Sequence, residues 1–134
     1  MRERAAGSFD VKVTPQKPDT QIARAANFNR MTIDKRYHGD LEGTAKGEML
    51  ATQTDMPGSA GYVAMERVSG TLKGRAGGFV LQHRATMTRG NAVASISVVP
   101  DSGTGELRGL SGKMVISVAA DGGHTYEFDF KIDA

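Results

Sequence analysis

The sequence contains no cysteine and no tryptophan, and only four prolines in 134 residues. Without cysteine there is no disulfide framework, no thiolate nucleophile and no sulfur-ligated metal. Such a composition suits a reducing compartment, and the expected location is cytoplasmic. Nothing approaches the ~20 consecutive apolar residues that a helix needs to cross a bilayer. The N-terminal MRERAAGSFDVKV also lacks the apolar run of a signal peptide, so no membrane partner is expected. An excess of one charge sign is missing too: 17 basic and 15 acidic residues leave +2, and the two signs are interspersed. Nucleic-acid binding calls for a basic stripe with aromatic platforms, and neither occurs, so no nucleic-acid partner is expected. The absence of tryptophan removes the usual lipocalin starting motif.

Metal and cofactor signatures are equally scarce. His38, His83 and His124 fall in separate segments without His-x-His or His-x-x-x-His spacing, so no metal is expected. Gly103-x-Gly105 precedes a strand rather than a helix and does not cradle phosphate; no cofactor is expected. DGGHTYEFD lacks the spaced carboxylates of a calcium loop, and there is no Gly-x-Ser-x-Gly elbow.

What the chain does have is glycine, 17 residues of it, among short runs in which Val, Ile, Thr, Phe and Tyr alternate with polar residues. No stretch keeps helical periodicity for three turns, so the chain is expected to be all-β and a single domain, 1–134. Eight strands are predicted: 8–14, 28–37, 42–55, the two strands of a hairpin over 62–87 with its turn at 74–77, 93–99, 113–119 and 125–132. Pro15 and Pro18 are expected to end the first strand, leaving 15–26 as an irregular connection with a short helical turn possible over 20–26. Gly43 and Gly47 suggest a bulge or bend in the third strand. Eight antiparallel strands joined to their neighbours predict an up-and-down β-barrel, because closure removes exposed edges. A two-sheet sandwich is the alternative.

The hairpin from Tyr62 to Met87 organises the prediction. A two-residue loop at Arg75-Ala76 pairs residues whose numbers sum to 151, such as Leu72 with Phe79 and Val68 with His83. Sums of 115, 181 and 244 follow for the hairpins at Pro57-Gly58, Gly90-Asn91 and Asp121-Gly122-Gly123. Side chains alternate faces along a strand, so these registers turn Val68, Leu72, Phe79, Leu81, Ile96, Met114 and Phe128 inward together. Five polar residues share that inner face: Lys35, Gln53, Tyr62, Glu66 and His83. Glu66 and His83 are diagonal neighbours within reach of each other. A three-residue turn at Gly74–Gly77 would flip one strand and separate them.

An acid and an imidazole on an apolar face mark a candidate site. An unpaired buried carboxylate costs several kcal/mol, so Glu66 must be paired, protonated or bathed in cavity water. One outcome is a self-satisfying Glu–His or Glu–Lys pair. Another is a ligand site built from Lys35, Gln53, Tyr62, Glu66, His83 and Met87. A third is an acid–base couple, with Glu66 and His83 as the candidate catalytic residues. The expected function is binding of a small, largely apolar molecule in the lumen. The alternatives are an isomerase or cyclase using the Glu–His couple, and a structural or oligomeric module; whether the chain is an enzyme stays open. On the outer face, Leu50, Thr52, Val63, Met65, Thr86, Thr88, Val93 and Ser95 form a charge-poor patch on strands three to six. It predicts a homo-oligomer through that face, unless the stems of Arg67 and Arg84 cover it.

Gly70-Thr71-Leu72-Lys73-Gly74 and Gly105-Glu106-Leu107-Arg108-Gly109 repeat a Gly-x-Leu-x-Gly pattern, echoed by Gly39-Asp40-Leu41-Glu42-Gly43. Repeated bends at barrel corners would produce it, and so would chance in a glycine-rich chain. The run VVPDSGTGELRGLSG resembles the Gly-Thr-Gly signature of the allene oxide cyclase and dirigent barrels. Together with RMTIDKRYHGDLEGTAKGEML and GSAGYVAMERVSGTLKGRAGGFVLQH, it resembles a bacterial family catalogued only as a domain of unknown function. The resemblance implies an allene-oxide-cyclase-like barrel with a central cavity, often oligomeric. It does not imply the cyclase reaction, whose site includes a cysteine that this chain lacks, and no catalytic residue is carried over.

Overall fold

The computed structural model describes residues 2–133. Eight strands follow one another around a closed barrel: β1 (Glu3–Gln16), β2 (Asn29–Gly39), β3 (Leu41–Gln53), β4 (Ala60–Leu72), β5 (Arg75–Thr88), β6 (Asn91–Val98), β7 (Leu110–Val118) and β8 (His124–Ile132). Every neighbouring pair is antiparallel, and β8 returns to β1 to close the cylinder. Among the described residues, no helix is long and apolar enough to cross a membrane.

The predicted all-β barrel is observed, with most strands longer than expected, β3 excepted. Pro15 does not end β1: it pairs with Met31 inside the ladder to β2. A proline is tolerated there because β1 has no partner on its other side beyond Phe9, where pairing with β8 stops. The segment 15–26 is correspondingly less irregular than predicted. Its first two residues belong to β1, and α1 (Gln21–Ala26) follows, its N-terminus capped by the Thr20 hydroxyl, which accepts from the Ala23 amide at 2.9 Å. Gly43 and Gly47 make no bulge; both sit in uninterrupted ladders to β2 and β4.

Four predicted registers need correction, each by an even number. The β4–β5 pairs sum to 147 rather than 151, as in Leu72 with Arg75. The β3–β4, β5–β6 and β7–β8 pairs sum to 113, 179 and 242, each two lower than expected. The β4–β5 turn is Lys73-Gly74 and the β5–β6 turn is Arg89-Gly90, and all four residues have positive φ, from 48° to 92°. A two-residue primed turn needs positive φ at both central positions, and it matches the right-handed twist of the strands. Glycine fills only the second position of each turn. Placing Gly90 first shifts the β5–β6 turn one residue downstream, and centring the β4–β5 loop on Arg75-Ala76 shifts that turn by two. At β7–β8 the loop takes five residues, 119–123, rather than three. Because side chains alternate with period two, even slips leave every side chain on its predicted face.

The barrel differs at its two ends. One end is packed solid by Leu41, Leu72 and Leu107, all fully buried, over Phe128, Phe130 and Ala5. These are the three leucines of the Gly-x-Leu repeat, which therefore supplies a plug of one leucine per copy. The Tyr126 hydroxyl clasps the same end: it accepts from the Leu41 amide at 2.9 Å and lies 3.0 Å from the His38 carbonyl. At the other end, inward-facing apolar side chains stay open to solvent: Val13 is 43%, Met87 41% and Val118 66% exposed. The wall also parts there, since β6 and β7 share only the pairs Ile96–Met114 and Ser97–Lys113.

Candidate functional site

Glu66 and His83 do meet inside the barrel, although by a different pairing. Ladder partners of Glu66 and His83 are Leu81 and Ala64, so the two remain diagonal neighbours after the slip of four. His83 Nε2 lies 2.8 Å from Glu66 Oε2, off the axis of a well-aligned hydrogen bond. Lys35 joins them from β2, with Nζ 2.8 Å from the same Oε2. A fourth member lies outside the predicted set: the Tyr37 hydroxyl donates to Glu66 Oε1 and lies 3.4 Å from Lys35 Nζ. The Lys35 ammonium also sits over the Phe9 ring, 4.7 Å from its centroid, where the ring face attracts the cation.

Lys35 and Tyr37 reach Glu66 across an entire intervening strand. They pair with Ala45 and Gly43 of β3, and Glu66 pairs with Gly47 of the same strand. The inward positions of β3 at this level are thus Gly43, Ala45 and Gly47, a gutter over which long side chains can pass. A Cβ at Gly47 would stand 2.1 Å from the Met65 carbonyl oxygen and 3.0 Å from Glu66 Cβ. Small residues at period two, flanked by strands carrying a base and an acid, are the signal from which this cluster could be read. Alternation alone puts Tyr37 on the face of Lys35, and only the gutter tells that it reaches Glu66.

Three of the predicted residues are deeply buried: Lys35, Glu66 and His83. Burial alone would raise the Glu66 pKa. The His83 contact and the Lys35 ammonium outweigh it and hold the carboxyl at about 2. Burial and the Glu66 charge push the Tyr37 phenol upward, so it stays a donor. Glu66 is consequently a fixed anion with both oxygens engaged and a side chain that solvent does not reach. Among the described residues, no group of three His, Asp or Glu could hold a metal ion.

Gln53 and Tyr62, also predicted site residues, lie apart from this cluster and with each other. They line a cavity of about 610 Å³ at the open end, together with Met31, Met49, Ala51 and Phe28, and the Pro15–Pro18 side closes it. Lys35, Glu66 and His83 do not line it; Tyr62 links the two levels. Its phenol is raised by burial first and then by the charge of Glu66. Met87 is on the rim, outside the cavity wall but paired with Ala60, which belongs to it. On the outer face of β3–β5, Leu50, Val63 and Met65 are exposed and form a shallow groove of about 690 Å³ edged by Arg30, Glu48 and Arg84.

No curated protein matches the chain. A solved crystal structure does: a protein of unknown function from the DUF3224 family of Shewanella oneidensis MR-1, 44% identical over the full length of both chains, with a TM-score of 0.90. The family model described as "Protein of unknown function (DUF3224)" matches residues 5–130. With nearly the whole barrel covered by that match, this chain belongs to the DUF3224 family.

Proposed function

We propose that the barrel binds a small, largely apolar molecule at its open end. The observation that carries this reading is the contrast between the two ends. Inward apolar side chains are sealed by a leucine plug at one end and left beside a cavity of about 610 Å³ at the other. Apolar surface exposed to water in a concavity of that size is the usual form of a small-molecule site. Met31 and Met49 suit an irregular ligand because thioether side chains adapt their shape. The buried quartet of Lys35, Tyr37, Glu66 and His83 serves as a rigid floor. A carboxylate held at about 2, saturated and out of solvent, supports that role rather than proton transfer near neutral pH. The test is a fluorescence titration with 1-aminoanthracene, a neutral apolar probe. Saturable enhancement with a dissociation constant on the order of 10 μM is expected, weakened at least tenfold by Ala51→Trp, which fills the cavity. Unsaturable emission, or emission indifferent to that substitution, overturns the reading.

The outer face supports a second proposal, self-association through β3–β6. Its groove joins exposed Leu50, Val63 and Met65 to a rim that carries both charge signs. A twofold interface needs such self-complementarity, because each copy presents the same patch. Sedimentation equilibrium should show a dimer that Val63→Lys dissociates; a monomer at every concentration measured would remove this proposal.

A further inference from the structure

We infer that the occupant of the open-end cavity is electrically neutral: an apolar body carrying one uncharged hydrogen-bonding group, such as a primary alcohol. The inference rests on the binding reading above and adds the ligand's class to it. Apart from Arg30, the polar side chains around the cavity are uncharged: amides from Gln16, Asn27, Asn29 and Gln53, the Thr52 hydroxyl and the Tyr62 phenol. Amides and phenols both donate and accept, and so match an alcohol or amide head.

Charged heads find no counter-ion. Among the described residues, the single charged side chain lining the cavity is Arg30, which is occupied by Glu48 at 2.9 Å and faces Asp19 at 3.8 Å. In the buried cluster, Lys35 is taken up by Glu66 at 2.8 Å and does not line the cavity. A carboxylate entering beside Tyr62 would also meet the negative field of Glu66, the same field that helps raise the Tyr62 phenol. An ammonium fares no better. Among the same described residues, carboxylates are absent from the cavity lining, and both oxygens of Glu66 are engaged with Lys35, His83 and Tyr37. Moving an ion from water into such a site without a partner is far costlier than moving a hydroxyl that finds a hydrogen bond.

Displacement of 1-aminoanthracene by 1-decanol, decanoate and decylamine at pH 7.5 tests the assignment, since the three share one chain and differ in head charge. The expected result is a competition constant for decanol at least tenfold lower than for either ion. Gln53→Arg, at an exposed position of the rim, should then raise decanoate affinity at least tenfold relative to decanol. Equal or tighter binding of decanoate or decylamine to the unsubstituted protein overturns neutrality while leaving the cavity a binding site. A probe that never binds removes both the binding reading and this inference.

Discussion

Glu66→Gln is expected to cost about 3–5 kcal/mol of stability at pH 7, the range for removing one partner of a buried ion pair. Glutamine keeps the shape but removes the charge, leaving the Lys35 ammonium buried and without its partner. The pH dependence gives a second view of the same interaction. The folded pKa of Glu66, about 2, lies below the ordinary value of 4.5. Its contribution is therefore present in full above about pH 4.5 and fades as pH falls toward 2. Linkage sets its size on the order of 3 kcal/mol. Urea unfolding from pH 7 down to pH 2 should show the wild type losing this increment, while Glu66→Gln shows a correspondingly flatter profile. Removing both charges with Lys35→Met/Glu66→Leu should recover much of the loss, because no buried ion is then left alone. A loss below about 1 kcal/mol in the single variant would show that water reaches the cluster and that it is not the dry floor described above.

Gly77→Ala is the second large effect, on the order of 3–5 kcal/mol, and it acts at the plugged end. The connection from β6 to β7 lies against β5 there. The Thr104 amide donates to the Gly78 carbonyl at 2.8 Å, and the Gly78 amide donates to the Thr104 hydroxyl at 3.0 Å. A Cβ at position 77 would fall 2.0 Å from the Thr104 carbonyl oxygen and 3.4 Å from Leu107 Cγ. Backbone is in the way, so the connection must lift and carry Leu107 out of the core. Overpacking costs about 1–3 kcal/mol and exposing one buried leucine about 1.5–3 kcal/mol more. Gly74→Ala provides the comparison: φ is +84° but nothing lies within 4 Å, so only the conformational cost of about 1–2 kcal/mol applies. Urea midpoints that rank Gly74→Ala as equal to or worse than Gly77→Ala would refute this account of the plug.

Much of the candidate site is legible in the amino-acid order. Strand alternation puts Lys35, Glu66 and His83 on the inner face, and that is where they are, together. Four misplaced registers do not disturb this result, because facing depends on parity alone. Strand partners depend on the turn, and glycine positions do not reveal that Lys73 and Arg89 adopt positive φ. Tyr37 escapes for a different reason. Its contact with Glu66 spans β3, and whether a side chain can cross a strand depends on what that strand puts in the way.

The amino-acid order alone dictates the strand alternation, the barrel class and the inward face, since a period-two pattern acts locally and tolerates even slips. It also carries the three leucines of the plug, without revealing that they converge. Tertiary packing settles which end is sealed and that Glu66 is fully paired. It likewise settles that Gln53 and Tyr62 line an open cavity rather than join the Glu66 cluster. Those outcomes depend on strand stagger, on where two short turns fall, and on the gutter of Gly43, Ala45 and Gly47. Stagger brings together residues far apart in the chain and leaves no local signature. The gutter is visible as small residues at period two, but it acquires meaning only once its neighbouring strands are known.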